Sequence, residues 1–201
     1  MKLYYSPGAC SLSPHIVLFE AGLPFVAEAV DLKTKKTASG ADYTAINPKG
    51  AVPALQLDDG AVLTEGVAIT QYLADQKPDS ALAPRAGTFQ RYRLLEMLNY
   101  LAADVHKSFG PLFNPKASAD WKASATAALS TKFDWLSAHL GAKPFLLGDT
   151  FTVADAYLFT MLRWTGHLGI DLAKWPVLTA YSARIAARPK VQAALQAEGL
   201  A

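Results

Sequence analysis

Along the first eighty residues the apolar positions come in short runs cut by turn residues; beyond them they recur at helical spacing almost to the end. Lys2–Tyr5 is a β-like run that stops at Ser6-Pro7-Gly8, a turn. Ser11–Ala21 reads as a helix with Ile16, Leu18 and Phe19 among its apolar positions and Gly22 as its stop. Phe25–Asp31 alternates Phe25, Ala27, Ala29 and Asp31 against Val26, Glu28 and Val30, a strand pattern. Ala41–Ile46 is a short helix closed by Asn47-Pro48-Lys49-Gly50. Ala54–Leu57 and Ala61–Leu63 flank Asp58-Asp59-Gly60 as a hairpin, and Thr64–Gln76 is a helix with Ala68, Ile69, Tyr72 and Leu73 on one face. A βαβ unit followed by αββα predicts a four-stranded mixed sheet with helices on its faces.

The rest reads as helix over about 88–112, 120–140, 152–168 and 176–198, the last split before Pro189. Leu94, Leu98, Leu101, Val105 and Phe109 form a core stripe in the first of these. Phe151-Thr152-Val153-Ala154-Asp155 opens the third as a capping box with Asp in place of Glu, a structural feature. Lys77-Pro78-Asp79-Ser80 and the Pro-rich stretch to Gly87 mark the joint, so the chain divides into 1–80, α/β, and 81–201, all-α.

Charge and composition narrow the function. Of 201 residues, 51% are hydrophobic and 18% charged, the profile of a folded chain with a sizeable core. Residues 1–80 carry six Lys+Arg against nine Asp+Glu; the remainder carry thirteen against eight. A total of +2 offers no general attraction for polyanions, so nucleic acid is not expected. The best apolar stretch, Ile16–Ala29, is broken by Glu20, Pro24 and Glu28, so no membrane span is expected. The one cysteine, Cys10, cannot form an internal disulfide, and a reducing cytoplasm is the expected compartment. His15, His106, His139 and His167 show no ligand spacing, so no metal is predicted.

Cys10 follows a Gly-containing loop at a helix start, where backbone N–H groups favour an anion and would lower a thiol pKa. Its string, Cys10-Ser11-Leu12-Ser13, is a C-x-x-C motif with the second cysteine replaced, so a small external thiol would have to resolve it. The competing reading is an inert buried thiol. Val52-Pro53 opens a strand where a cis bond is affordable. It would leave the N–H and C=O of Val52 facing the Cys10 loop, free for a peptide-like ligand; an ordinary strand-start proline is the alternative. Thr64-Glu65-Gly66 at a helix start could take the carboxylate and ammonium of an amino-acid end, or could merely cap the helix. Lys35 is either a solvated charge or the anchor for a second carboxylate. Glu96, Asn99, Ala103 and His106 share a helix face offset from the leucine stripe, with His106 a candidate for ligand contact or proton transfer. Phe109, Phe113 and Trp164 could line an apolar pocket, although core is the stronger reading.

Together, Ser-Pro-Gly-Ala-Cys after the first strand, N-P-K-G-A-V-P-A-L (47–55), L-T-E-G-V-A-I (63–69) and F-T-V-A-D-A-Y-L-F (151–159) resemble the bacterial cytosolic glutathione S-transferases, beta class, over essentially the whole chain. The resemblance implies a thioredoxin-like N-terminal domain plus an all-helical C-terminal domain, a cytoplasmic homodimer, and glutathione as co-substrate for attack on hydrophobic electrophiles. It implies Cys10 facing the glutathione sulfur, with Ser11 and His106 as further catalytic candidates. It implies Val52 before a cis Pro53 pairing with the peptide, Glu65 and Gly66 at the γ-glutamyl end, Lys35 near the glycine carboxylate, and Asn99, Ala103 and His106 lining the site from the helical domain. Gly66 stands where many relatives have Ser, which removes a hydroxyl but keeps the N–H. The alternative activity is a glutathione-dependent thiol-disulfide or peroxide reductase working through a Cys10 mixed disulfide. A non-catalytic binding protein on the same fold ranks below both, because the glutathione anchors are retained.

Overall fold

The computed structural model describes residues 1–201. Strands β1 (Lys2–Tyr5), β2 (Val26–Asp31), β3 (Lys36–Thr37), β4 (Ala54–Gln56) and β5 (Val62–Thr64) form one sheet of order β3-β2-β1-β4-β5. β1 and β2 are parallel and the other pairs antiparallel. The sheet thus has five strands rather than the four expected. The addition is the two-residue β3, paired through Val30↔Thr37 and Asp31↔Lys36. Helix α1 (Leu12–Ala21) ends where expected: Gly22 is left-handed at φ 65°, and the Leu23 N–H reaches back to the Leu18 carbonyl at 3.2 Å. Helices α2 (Tyr43–Ile46) and α3 (Gly66–Gln76) complete this part.

The remainder comprises α4 (Phe89–Tyr100), a π-helical segment (Leu101–His106), α5 (Lys107–Phe113), α6 (Ala119–Leu140), α7 (Val153–His167), α8 (Pro176–Ala186) and α9 (Pro189–Ala197). The helix expected over 88–112 is therefore interrupted by a wider turn. The capping box at Thr152 and Asp155 is present. Asp155, fully buried, accepts from the Thr152 and Leu146 N–H groups, both at 2.8 Å, and from the Tyr181 hydroxyl at 2.8 Å. No helix is long and apolar enough to cross a membrane.

Strand alternation sorts the core. Leu3 and Leu55, register partners, face the large core shared with α1, α3, α4 and α7. Tyr4, Val30 and Ala54 turn to the other face and pack with Tyr43 of α2. Helix α1 lies between the sheet and the helical region, packed on α3, α7 and α9, which is why it is buried nearly all round. Two bidentate ion pairs lock this packing. Arg91 grips Asp75 at 2.8 and 2.7 Å across the joint, and Arg188 grips Glu20 at 2.7 and 2.9 Å. The core stripe Leu94, Leu98, Leu101, Val105 and Phe109 is completely buried.

Candidate functional site

The loop Asn47–Pro53 sets one wall of a cleft. Asn47 caps its own turn: its Nδ2 donates to the Ala51 carbonyl at 2.7 Å, where the Tyr43 hydroxyl also donates at 2.8 Å. This delivers Val52 and a cis Pro53 to the start of β4. The Val52 N–H has no protein partner, and its carbonyl accepts from Cys10 Sγ at 3.2 Å.

The cleft has a volume of about 540 Å³, within the range of small-molecule sites. It brings together Cys10, Val52, Pro53, Glu65, Gly66, Asn99, Ala103 and His106, eight of the residues proposed from sequence. Glu65 stands at φ 69°, ψ 114°, an unusual backbone for a non-glycine residue, immediately before α3. The Gly66 and Val67 N–H groups precede the first intrahelical bond, from Ile69 N–H to the Glu65 carbonyl, and so belong to the unpaired end of the helix. Thr64 ends β5 and does not cap α3. Instead Lys49 Nζ bridges Thr64 Oγ1 (2.8 Å) and Glu65 Oε1 (2.5 Å).

Two expectations are corrected. Cys10 does not gain a depressed pKa from the helix end. The helix begins two residues later, at Leu12, and burial pushes the thiol up to about 11, against smaller lowering by backbone N–H groups. At neutral pH it is a thiol, and it donates to Val52. Ser11 is completely buried and does not line the cleft; its hydroxyl closes the Ser6 turn, accepting from the Ser6 N–H at 3.1 Å and donating to the Ser6 carbonyl at 3.2 Å. Lys35 is not among the residues lining the cleft; its Nζ donates to the Gly50 carbonyl at 2.8 Å.

The helical wall differs from the expected stripe. Glu96 points elsewhere and pairs with Arg93 at 2.8 Å. The wider turn of the π segment presents adjacent pairs, Ala102 with Ala103 and His106 with Lys107. Small residues in the first pair leave space. The His106 pKa is lowered, first by burial and then by Lys107, so its imidazole is neutral at pH 7. Its Nδ1 lies 2.6 Å from the Tyr157 hydroxyl, and its ring centroid 4.9 Å from that of Trp164. Phe109 and Trp164 are core, as the stronger reading held, while Phe113 is half exposed. Sequence reasoning missed Lys49, Lys107 and Tyr157; Tyr157 lay inside the capping-box motif but carried no spacing that tied it to His106. No group of three or more His, Cys, Asp or Glu is placed to hold a metal ion.

Comparison with known proteins gives a consistent result. Residues 8–76 match the family model described as glutathione S-transferase, N-terminal domain, and residues 119–184 match the corresponding C-terminal domain. The chain is 48% identical to glutathione S-transferase GstA of Escherichia coli O157:H7, over the full length of both. Its fold superposes with a TM-score of 0.97 on a beta-class glutathione S-transferase of Sphingomonas chungbukensis, 53% identical, covering 100% of each chain. The TM-score is also 0.97 for a sphingomonad glutathione S-transferase complexed with glutathione, 50% identical, again covering 100% of each chain.

Proposed function

The chain belongs to the glutathione S-transferase family, bacterial beta class, and on that premise we propose how its cleft holds glutathione and what the bound thiol attacks. Its activity is glutathione transfer, with glutathione as co-substrate. The tripeptide lies extended along Val52 and pairs with the free N–H there. Its γ-glutamyl carboxylate sits at the Gly66 and Val67 N–H groups, where the end of α3 favours an anion. Its ammonium goes to the Glu65 carboxylate, which exchanges part of its contact with Lys49. The glycine carboxylate extends toward Lys35, which trades its bond to the Gly50 carbonyl for the stronger charged partner. Asn99 and Ala103 close the opposite wall.

The sulfur then lies beside Cys10 and His106. A neutral Cys10 thiol, on exchanging its bond to the Val52 carbonyl, is a hydrogen-bond donor to a thiolate, not a competing nucleophile at pH 7. This favours conjugation over the reductase reading. The single observation that carries the proposal is the convergence in one cleft of a free strand N–H at Val52, the free N–H groups opening α3, and Glu65. These are the complements of one peptide with an amino-acid end. The electrophile is apolar, admitted over Ala102 and Ala103. Residues 1–80 hold glutathione and residues 81–201 shape the electrophile's side. The protein works as a cytoplasmic homodimer, a reading supported by the unpaired Cys10 and by Phe89 and Tyr92, exposed one turn apart on α4.

The test is an activity panel with glutathione and an aryl halide, a hydroperoxide or a mixed disulfide, on wild type and Cys10→Ala. Conjugation of the aryl halide, partly retained in Cys10→Ala, is expected. Activity confined to the redox substrates and abolished in Cys10→Ala would establish the reductase instead. Absence of calorimetric binding at millimolar glutathione would remove both.

A further inference from the structure

Helix α7 is the central core helix, yet one of its side chains reaches the cleft. Tyr157 is 7% exposed and lines the site beside Cys10 and His106. Its hydroxyl is 2.6 Å from His106 Nδ1, and neither atom has another protein partner. Seven residues on, Trp164 lies on the same helix face, packs against the His106 ring at 4.9 Å, and donates its indole N–H to the Gly8 carbonyl at 2.8 Å. The imidazole is thus held at an edge by Tyr157 and packed at a tilt of 58° against Trp164. The α7 side chains that hold it also tie down the loop that carries Cys10.

The shared proton has two possible placements. If Nδ1–H donates to the hydroxyl, the tyrosine's own proton has no protein acceptor. If the hydroxyl donates to Nδ1, both atoms are satisfied by one bond, and the ring's own N–H, on Nε2, is left to the cleft, where a ligand or water can accept it. Buried polar groups take the satisfied arrangement. Burial also raises the tyrosine pKa, with Cys10 and Glu65 adding to the shift, so the hydroxyl keeps its proton to donate. The remaining charged group at this wall, Lys107, disfavours a second proton on the ring.

We infer that Tyr157 is a positioning residue that fixes His106 as the neutral tautomer with its proton on Nε2, so that the imidazole offers an N–H donor to the cleft rather than a base. Nε2 has no protein partner. Resting on the reading that the glutathione sulfur sits beside Cys10 and His106, this makes His106 a stabiliser of the thiolate. The sulfur receives a hydrogen bond from His106 Nε2–H, and one from Cys10 S–H when that thiol gives up the Val52 carbonyl; the glutathione proton leaves to solvent rather than to the imidazole.

Two measurements on the full-length protein decide this. In the first, long-range ¹H–¹⁵N correlation spectra of histidine-labelled protein at pH 7.5 read the tautomer directly, with His106 assigned by the signals lost in His106→Gln. Protonated Nε2 with bare Nδ1 is expected; the reverse pattern overturns the inference. In the second, the pKa of bound glutathione is followed by thiolate absorbance alongside steady-state kinetics. Tyr157→Phe frees Nδ1 and the ring's orientation. The bound thiol pKa should rise and kcat fall about three- to tenfold, the worth of one ordinary hydrogen bond, with KM for glutathione unchanged. His106→Gln, which keeps a donor near the Nε2 position and has no base, should retain most activity. His106→Ala should lose roughly tenfold or more. An unchanged thiol pKa in Tyr157→Phe, or His106→Gln as impaired as His106→Ala, overturns the inference. Should Tyr157→Phe not fold, the tautomer spectrum and the His106 pair still decide it. Wild type that binds no glutathione in calorimetry overturns the proposed function instead, an outcome separate from the tautomer.

Discussion

Glu198 holds the loop that carries Cys10, and cutting that tie should be costly. Gly199 follows α9 at a left-handed φ of 68°, and the Leu200 N–H returns to the Leu195 carbonyl at 2.8 Å. This turn sends the Glu198 side chain inward, where it is 0% exposed. One carboxylate oxygen meets His15 Nδ1 at 2.8 Å, and the other accepts the Gly8 N–H at 2.9 Å. His15 is itself 1% exposed, so neither partner can turn to water. Glu198→Ala leaves a buried imidazole nitrogen and a buried N–H unpaired, at about 1–3 kcal/mol each, and opens a void. The expected loss is about 3–5 kcal/mol, the usual cost of removing one partner of a buried pair. For a chain of this size that is roughly 6–20 °C in Tm. Glu198→Gln keeps an acceptor for Gly8 and an amide for His15, so it should lose less than half as much. The assay is urea unfolding with thermal melts, plus exchange protection of the Gly8 amide. A Glu198→Ala variant within about 1 kcal/mol of wild type, with Gly8 still protected, would refute the reasoning.

Three further outcomes are expected. Because the Cys10 thiol pKa is about 11, its alkylation rate by iodoacetamide should climb about tenfold per pH unit from 7 to 9; a plateau below pH 8 would contradict burial as the dominant influence. At Gly66 an added Cβ would meet Pro53 Cγ at 3.7 Å, ordinary contact, and the backbone is not left-handed. Gly66→Ser should therefore fold normally and lower KM for glutathione by about two- to tenfold through one new hydrogen bond; an unchanged or raised KM counts against the γ-glutamyl placement. Glu28 is held down to about 2, first by Lys2, whose Nζ lies 2.6 Å away, then by Ser39 and Thr37. Its contribution is complete above the unfolded carboxyl pKa of about 4.3 and is lost as pH falls through 2. Glu28→Gln should flatten the acid limb of stability between those values, as measured by urea unfolding at stepped pH.

Much of the fold was legible because its elements are short and sharply punctuated. Gly22 and Asp58-Asp59-Gly60 stop elements and Pro189 opens one, by backbone geometry that needs no tertiary information, so boundaries agree within a residue or two. The misses have tertiary causes. β3 is two residues long in a lysine-rich run, and it exists because Val30 offers a ladder to Thr37, not because its own sequence prefers a strand. The π segment leaves the leucine stripe intact, since those side chains are core in either geometry. What it changes is the opposite face, where Ala102 and Lys107 join the residues read from α-helical spacing.

The candidate site divides along the same line. Val52, Glu65 and Gly66 were legible because a motif at an element's start exposes backbone groups whatever the rest of the chain does. Cys10 sits beside such a start, but its proton is governed by enclosure, and the Val52 carbonyl lies forty-two residues away in sequence. A helix end lowers a thiol pKa only where desolvation of the thiol is the smaller influence, and here, at a partly buried Cys10, desolvation is the larger. The same separation hides Tyr157, fifty-one residues from His106 and inside a motif whose capping role is real. α7 therefore serves two ends at once. Its first turn is fixed by Asp155 against the core, and that fixed start is what lets Tyr157, two residues on, hold one imidazole edge in the cleft.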